Sequence, residues 1–196
     1  PAGDAFADPF RPSIQPGGFI SERELERDRS THLAAVARLW RELDVFIFTL
    51  GLTEIWYDGR DGAVFPAAPL RGAFEAQRHL ARSLTVEENV ASLEEFLALL
   101  WDVNPAARVI LTVSPVPLAA TIEERHVLVA STYAKSVLRV AADTIVRRHA
   151  NVDYFAAYEI VTATGNNREY FADDRRNVTG AAVEHVMTSF YRNYCG

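Results

Sequence analysis

Short apolar segments alternate with longer stretches of helical period, and this alternation restricts the fold more than any other feature. Residues 44–50 (DVFIFTL) are rich in β-branched and aromatic side chains and end at Gly51, which predicts a strand buried on both faces at the centre of a parallel sheet. Further strands are predicted at 108–113 and 152–158. Helices are predicted at about 21–42, 85–104, 125–148 and 179–192.

This order of elements predicts an α/β fold with a parallel sheet covered by helices on both faces, because parallel strands need crossovers and the crossovers are helical. The length of 196 residues and the 49% apolar content fit one domain over 1–196. Residues 1–18 are rich in proline and glycine and predict an irregular lead-in. Residues 58–83 also lack a clear period, which predicts a long irregular loop or lid.

Composition excludes several classes of function. The net charge of −6 comes from 26 acidic and 20 basic residues mixed along the chain, which argues against nucleic acid as a partner. Cys195 is the only cysteine, the histidines have no metal-ligand spacing, and no glycine-rich nucleotide motif occurs, so we expect no metal and no cofactor. Without a leader or an apolar run of ~18 residues, we expect a cytoplasmic protein that does not bind a membrane.

Polar residues follow the predicted strands at the edge where ligands bind in parallel sheets. Gly51-Leu-Thr-Glu54 follows the first strand and Ser114-Pro-Val-Pro follows the second. Asp174-Arg-Arg-Asn177 lies just before the last helix. Topology alone therefore predicts that three polar loops meet at one edge of the sheet.

Several segments together resemble the GSCFA family in the family's own order, over nearly the whole chain. They are DPFRP at 8–12, FTLGLTEIW at 48–56, NP at 104–105, TVSPVPL at 112–118, HVLVA at 126–130 with Lys135, and VEHVM at 183–187. That family is grouped with the SGNH hydrolases, so the resemblance implies a flavodoxin-like three-layer α/β/α sandwich. It also implies an acyl ester as substrate, attacked by a serine that a histidine and an aspartate activate.

The resemblance implies roles for particular residues. Gly51, Thr53 and Glu54 take the place of the oxyanion block, where Thr53 stands for an asparagine and can donate one hydrogen bond. Asp174 takes the place of the residue that orients the base, and Asn177 stands where the histidine base belongs. An amide cannot accept and return a proton near neutral pH.

Other residues near the same edge have open interpretations. His126 is the best substitute base, or a histidine packed in the first turn of a helix. Lys135 fixes an anionic group or caps a surface. Ser114 lines the pocket or forms a rigid turn, and Asp174 is equally explained as a charge at a helix N-terminus.

The nucleophile is the largest departure from the family, because the Gly-Ser-Cys-Phe-Ala motif is not in the sequence. We expect the first strand and this motif to lie upstream of Pro1, and a missing segment or a second chain to complete the sheet. The leading hypothesis is an esterase or O-acyltransferase for an acylated carbohydrate or similar small polar ester, inactive as this fragment. The alternative is a non-catalytic binding or interaction domain that keeps the fold.

Overall fold

A computed structural model describes residues 5–68, 74–163 and 170–196 of the chain. The chain divides into two compact units, which are Pro1–Leu43 with Glu54–Ser83 (the antiparallel unit) and Asp44–Thr53 with Leu84–Gly196 (the parallel-sheet unit). The prediction of one domain over 1–196 stays a prediction. In chain order the elements are α1 (Glu22–Glu42), β1 (Val45–Leu50), β2 (Glu54–Asp58), β3 (Val64–Phe65), β4 (His79–Ser83), α2 (Val86–Val103), β5 (Arg108–Val113), α3 (Val127–Arg148), β6 (Val152–Tyr154), α4 (Ala157–Thr162) and α5 (Gly180–Tyr194).

The parallel-sheet unit confirms the predicted α/β architecture. Its strands follow the order β1-β5-β6 and all pair in parallel. Helix α3 packs on β5 and β6 and also contacts α2, whereas α4 packs on β5 and contacts α5. Ile110 of β5 forms a core with Phe155 and the aromatic side chains of α5, and neighbouring strand residues point to the opposite face. Helices therefore cover both faces of the sheet.

The central strand is β5, and the prediction that β1 is central and buried on both faces is wrong. Leu111 and Val113 of β5 are fully buried, because strands lie on both sides of β5. Strand β1 is an edge strand in the described sheet, with Val45 46% and Ile47 49% exposed. Its other face is packed, since Phe46 and Phe48 contact Phe96 of α2. A short apolar run indicates a strand but does not tell an edge from a centre.

The third strand is shorter than the predicted 152–158. It ends at Tyr154, after which the N–H of Phe155 donates to the Leu111 carbonyl at 2.8 Å and helix α4 begins at Ala157. The apolar character of the segment after Tyr154 comes from the helix, because Ala157 and Val161 are buried. A strand followed at once by a buried helix gives one continuous apolar run in sequence.

The four predicted helices are confirmed, with local reasons for where they begin. Helix α2 begins with a complete capping box, in which the Thr85 hydroxyl accepts from the Glu88 N–H and the Glu88 carboxylate accepts from the Thr85 N–H. Helix α1 begins at the Ser21 cap and α5 at the Thr179 cap. None of the helices in the described ranges is long and apolar enough to cross a bilayer.

The antiparallel unit corrects the prediction that 58–83 is irregular. Strands β2, β3 and β4 form a three-stranded antiparallel sheet in the order β3-β2-β4. The strands are short and separated by proline and glycine, which hid their period of two. Residues 69–73 of the predicted loop lie outside the described ranges.

Two buried carboxylates hold ion pairs in this unit. Asp8 bonds both Arg11 and Arg29, at 2.8 Å and 2.6 Å, and its side chain is fully buried. Asp58 accepts from Arg60 at 2.9 Å and from Arg78 at 2.6 Å. Hydrogen bonds from Arg29 and Arg11 hold the pKa of Asp8 far below its usual value, and those from Arg60 and Arg78 do the same for Asp58.

Candidate functional site

The turn after β1 lies at the carboxyl end of the parallel sheet and is fixed at both ends. The Leu50 carbonyl accepts from the Ser114 N–H at 2.9 Å, and the Thr53 carbonyl accepts from the Leu84 N–H at 2.8 Å. Thr53 is 1% exposed. We call residues 51–53 the β1 turn. Its backbone is therefore held against two other segments of the parallel-sheet unit.

Lys135 of α3 holds the first residue of the β1 turn. Its Nζ donates to the Gly51 carbonyl oxygen at 2.9 Å, across 84 positions of sequence. The side chain is 3% exposed. Two residues that the sequence placed near the same edge, Gly51 and Lys135, are thus in direct contact.

The surroundings of Lys135 disfavour a charge. Among the described residues its one hydrogen-bond partner is a neutral carbonyl, and no carboxylate lies within ion-pair distance. Burial lowers the pKa of Lys135 to about 8, because leaving water costs the ammonium more than the amine. Lys135 therefore titrates close to neutral pH.

Composition also distinguishes Lys135, although no motif does. The sequence contains 19 arginines and a single lysine, and that lysine is the residue buried beneath the β1 turn. Arginine stays protonated in proteins, whereas lysine loses its proton readily when buried. A lone lysine among many arginines could have marked this position from the sequence.

A cavity of about 390 Å³ opens beside the β1 turn. Its lining is mostly apolar and comes from the end of β1, the turn, α2 and α3: Phe48, Thr49, Leu50, Gly51, Leu52, Asn89, Ser92, Leu93, Phe96 and Leu138. The Asn89 amide is occupied, because its Nδ2 donates to the Leu84 and Thr85 carbonyls. Apolar walls with a few backbone polar groups at one end suit an acyl chain.

Ser114 has a local partner. Its hydroxyl accepts from the Val116 N–H at 3.2 Å, and its own N–H donates to β1. This is the rigid-turn geometry that the sequence left open beside the pocket-lining role. Ser114 is half-buried and does not line the cavity beside the β1 turn.

His126 is the N-cap of α3. Its Nδ1 accepts from the Leu128 N–H at 3.2 Å, and the side chain is exposed. A neutral imidazole whose Nδ1 accepts carries its proton on Nε2. In this arrangement His126 has no free basic nitrogen, so it would have to leave the cap to act as a base.

Asp174 and Asn177 bind each other within an exposed turn. The Asp174 carboxylate accepts from the Arg176 and Asn177 backbone N–H groups, both at 2.9 Å, and from the Asn177 side chain. These backbone hydrogen bonds lower the pKa of Asp174. The helix-charge interpretation is wrong, because α5 is capped by Thr179 and has no acidic residue in its first turn. Arg175 has a φ of 55°, so the turn has a left-handed residue at its tip.

Glu54 lies in the antiparallel unit. It is the first residue of β2 and pairs with Ser83 of β4. Among the described residues of the parallel-sheet unit, no hydrogen bond joins the pair Gly51 and Lys135 to His126, Asp174 or Asn177. The structure therefore brings the predicted residues together in two separate pairs.

A polar cluster at the end of β6 was not predicted. The Tyr154 hydroxyl donates to the Glu159 carboxylate at 2.9 Å, and Arg139 Nε also donates to that carboxylate at 2.8 Å. The Arg139 guanidinium lies 4.1 Å from the centre of the Tyr154 ring. Burial and Glu159 raise the pKa of Tyr154, so its phenol stays protonated.

Comparison with known proteins identifies a family for the chain. No curated protein matches the chain. Within the described residues no group of histidine, cysteine and acidic side chains could hold a metal ion. A model of the GSCFA family matches residues 5–190. Since that match covers nearly the whole chain, the protein belongs to the GSCFA family.

Proposed function

We propose that the chain is an acyl-transfer domain, an esterase or O-acyltransferase of the SGNH type that acts on an acylated carbohydrate or a similar small polar ester. The observation that carries the proposal is the β1 turn, which Lys135 holds at the carboxyl end of a parallel sheet beside an apolar cavity of about 390 Å³. Membership of the GSCFA family supports the hydrolase-like chemistry.

The roles follow from the chemistry of ester cleavage. A nucleophile attacks the acyl carbon, the carbonyl oxygen becomes an oxyanion, and the alcohol leaves with a proton. The backbone of the β1 turn stabilises the oxyanion, and the cavity holds the acyl chain. Water or an acceptor hydroxyl then takes the acyl group, which gives hydrolysis or transfer.

The 196 residues lack the family pattern for both the nucleophile and the base. No serine in the 196 residues follows a glycine, Asn177 occupies the base position, and His126 is used as a helix cap. We therefore expect the 196-residue chain to turn over simple aryl acetates no faster than the buffer does.

The test is fluorophosphonate labelling of the 196-residue chain and of the full translated product of its gene, with intact mass for both. The proposal expects one labelled serine and turnover of aryl acetates in the full product. A full product that is neither labelled nor active overturns the proposal. Enzyme-like turnover by the 196-residue chain would contradict the expectation that these residues contain no nucleophile.

The second candidate is a non-catalytic binding domain with the same fold. Two substitutions favour it, Thr53 for asparagine and Asn177 for histidine. The two candidates differ in their response to Asn177→His in the full product. An enzyme gains turnover when a base is placed beside Asp174, whereas a binding domain stays inactive and still binds the intact ester, as calorimetry with acetylated oligosaccharides would measure.

A further inference from the structure

We propose that the oxyanion donor of the β1 turn is the backbone N–H of Leu52, and that Lys135 is the positioning residue that aims it through the Gly51 carbonyl. The inference rests on the proposed function and names the atom that performs its central step. Gly51 C=O and Leu52 N–H belong to one peptide unit. Whatever fixes the carbonyl therefore also fixes the N–H.

The direction of the Leu52 N–H follows from peptide geometry. The described chain has no cis peptide bond, so the Gly51 carbonyl and the Leu52 N–H point in opposite directions across a planar unit. The carbonyl points at the buried Lys135. The N–H therefore points away from the interior, on the side where Leu52 is 56% exposed and lines the cavity with Gly51.

The Leu52 N–H is also free to bind a ligand. Within residues 5–68, 74–163 and 170–196, no acceptor binds the Leu52 N–H. The carbonyl groups on either side of it, those of Leu50 and Thr53, both accept backbone hydrogen bonds. Thr53 is a poorer donor for a ligand, because its side chain is 1% exposed. An outward-facing N–H without a protein acceptor is what an oxyanion site requires.

Lysine suits this role for an electronic reason as well. An ammonium that binds the Gly51 oxygen draws electron density toward that oxygen, and hydrogen bonds through one peptide unit strengthen each other. The Leu52 N–H is a stronger donor while Lys135 is protonated. Its donor strength should therefore follow the protonation of Lys135.

The experiment uses the single lysine of the chain. Lysine labelled with ¹³C and ¹⁵N gives one side-chain signal, so the pKa of Lys135 can be read directly while the Leu52 amide shift is followed over the same pH range. We expect the Leu52 amide to titrate with the same midpoint as Lys135. We expect Lys135→Met to abolish this titration and Lys135→Arg to hold the amide at a constant shift.

Two controls distinguish a specific effect of Lys135 on the Leu52 N–H from a general change in the fold. The Phe155 amide, which is bonded to Leu111 in the sheet, should keep its shift in all variants. Arg192→Met removes an exposed cation from α5 and should leave the Leu52 titration in place. If the Leu52 amide shift stays constant while Lys135 titrates in the wild-type chain, the inference is overturned.

Activity of the full product distinguishes this inference from the proposed function. We expect Lys135→Met to lower kcat about 10- to 100-fold with little change in KM, because the donor acts mainly in the transition state. Leu52→Pro removes the N–H itself, and Leu52→Ala is its reference because it shortens the side chain and keeps the N–H. Circular dichroism establishes that each variant is folded.

Failure of the proposed function and failure of this inference give different results. A wild-type product without turnover ends the proposed function, while the amide titration still decides whether Lys135 aims Leu52. A wild-type product that is active, with Lys135→Met and Leu52→Pro each as active as their references, overturns the inference and leaves the function standing.

Discussion

At the scale of single residues, Lys135 is the most informative side chain of the parallel-sheet unit. It is 97% buried by area, since 3% of its surface is exposed, and its partner is a carbonyl oxygen rather than a carboxylate. A buried charge without a counter-charge destabilises the folded state. Such a residue is kept at a cost in stability, which is typical of functional positions.

The cost can be measured as a dependence of stability on pH. The pKa of Lys135 falls from 10.5 to about 8 on folding, so between these values the unfolded chain binds more protons. The free energy of unfolding then rises with pH across this window, by on the order of 3 kcal/mol. We expect Lys135→Met to remove this rise, in urea unfolding of both proteins from pH 7 to pH 10.5.

The comparison with Lys135→Met is needed because buried tyrosines make the free energy of unfolding fall, rather than rise, at high pH. Burial raises the pKa of Tyr194 to about 12, so the unfolded chain loses protons first above pH 10. The wild-type curve alone mixes both effects, whereas the difference between the two proteins isolates Lys135. An unfolding free energy with the same pH profile in both proteins would contradict a lowered pKa.

Asn177 permits a second test at this scale. Its side chain binds the Asp174 carboxylate, so a histidine at this position can place a ring N–H on the same acceptor. We expect Asn177→His to give a histidine whose pKa is raised by Asp174, measured by NMR titration of its ring protons. In the double variant with Asp174→Asn the raised pKa should disappear.

At the scale of elements, the sequence predicted correctly those elements that form from the residues of a single segment. The apolar period and the capping residues of α1 and α2 predicted both helices, and the residues that begin them make the expected hydrogen bonds. The order of the strands in the sheet could not be predicted in this way, because it depends on contacts between distant segments. Whether β1 or β5 is central depends on which strands pair, and both are six-residue strands in which most side chains are apolar.

For the candidate site, the sequence predicted the location of the loops but not the contacts between side chains. Topology placed the turn after β1 at the carboxyl edge of the sheet, and Gly51 and Lys135 do meet there. The contact itself crosses 84 positions and has no local signature. The polar cluster of Tyr154, Glu159 and Arg139 was missed because the strand was extended through residue 158, which removed the helix that carries Glu159.

The edge position of β1 predicts unequal costs for matched substitutions. Ile47 and Ile110 are register partners on one face of the sheet, but Ile47 is 49% exposed and Ile110 only 6%. We expect Ile110→Ala to lower the free energy of unfolding by about 2–5 kcal/mol and Ile47→Ala by less than half as much. Urea unfolding of both variants measures the difference, and equal losses would mean that Ile47 is covered in solution.

At the scale of the whole molecule, charge pairing is distributed unevenly between the two compact units. The antiparallel unit has Asp8 and Asp58, each buried and each held by two arginines. The parallel-sheet unit has mostly exposed pairs along its helices, such as Asp143 with Arg147, and exposed pairs contribute little. Sensitivity to acid should therefore arise chiefly from Asp8 and Asp58.

Asp8 allows a direct test of this acid response. The folded pKa of Asp8 lies below its unfolded value of 3.8, so its contribution is present above that value and is lost as the pH falls through and below it. We expect Asp8→Asn to destabilise the chain by about 3 kcal/mol at pH 6, since it leaves Arg11 and Arg29 without their shared carboxylate. Between pH 6 and pH 3 the urea midpoint of the wild type should fall further than that of Asp8→Asn. The matched control, Asp143→Asn, should follow the wild-type slope, and an Asp8→Asn curve parallel to the wild type would show that Asp8 does not govern the acid response.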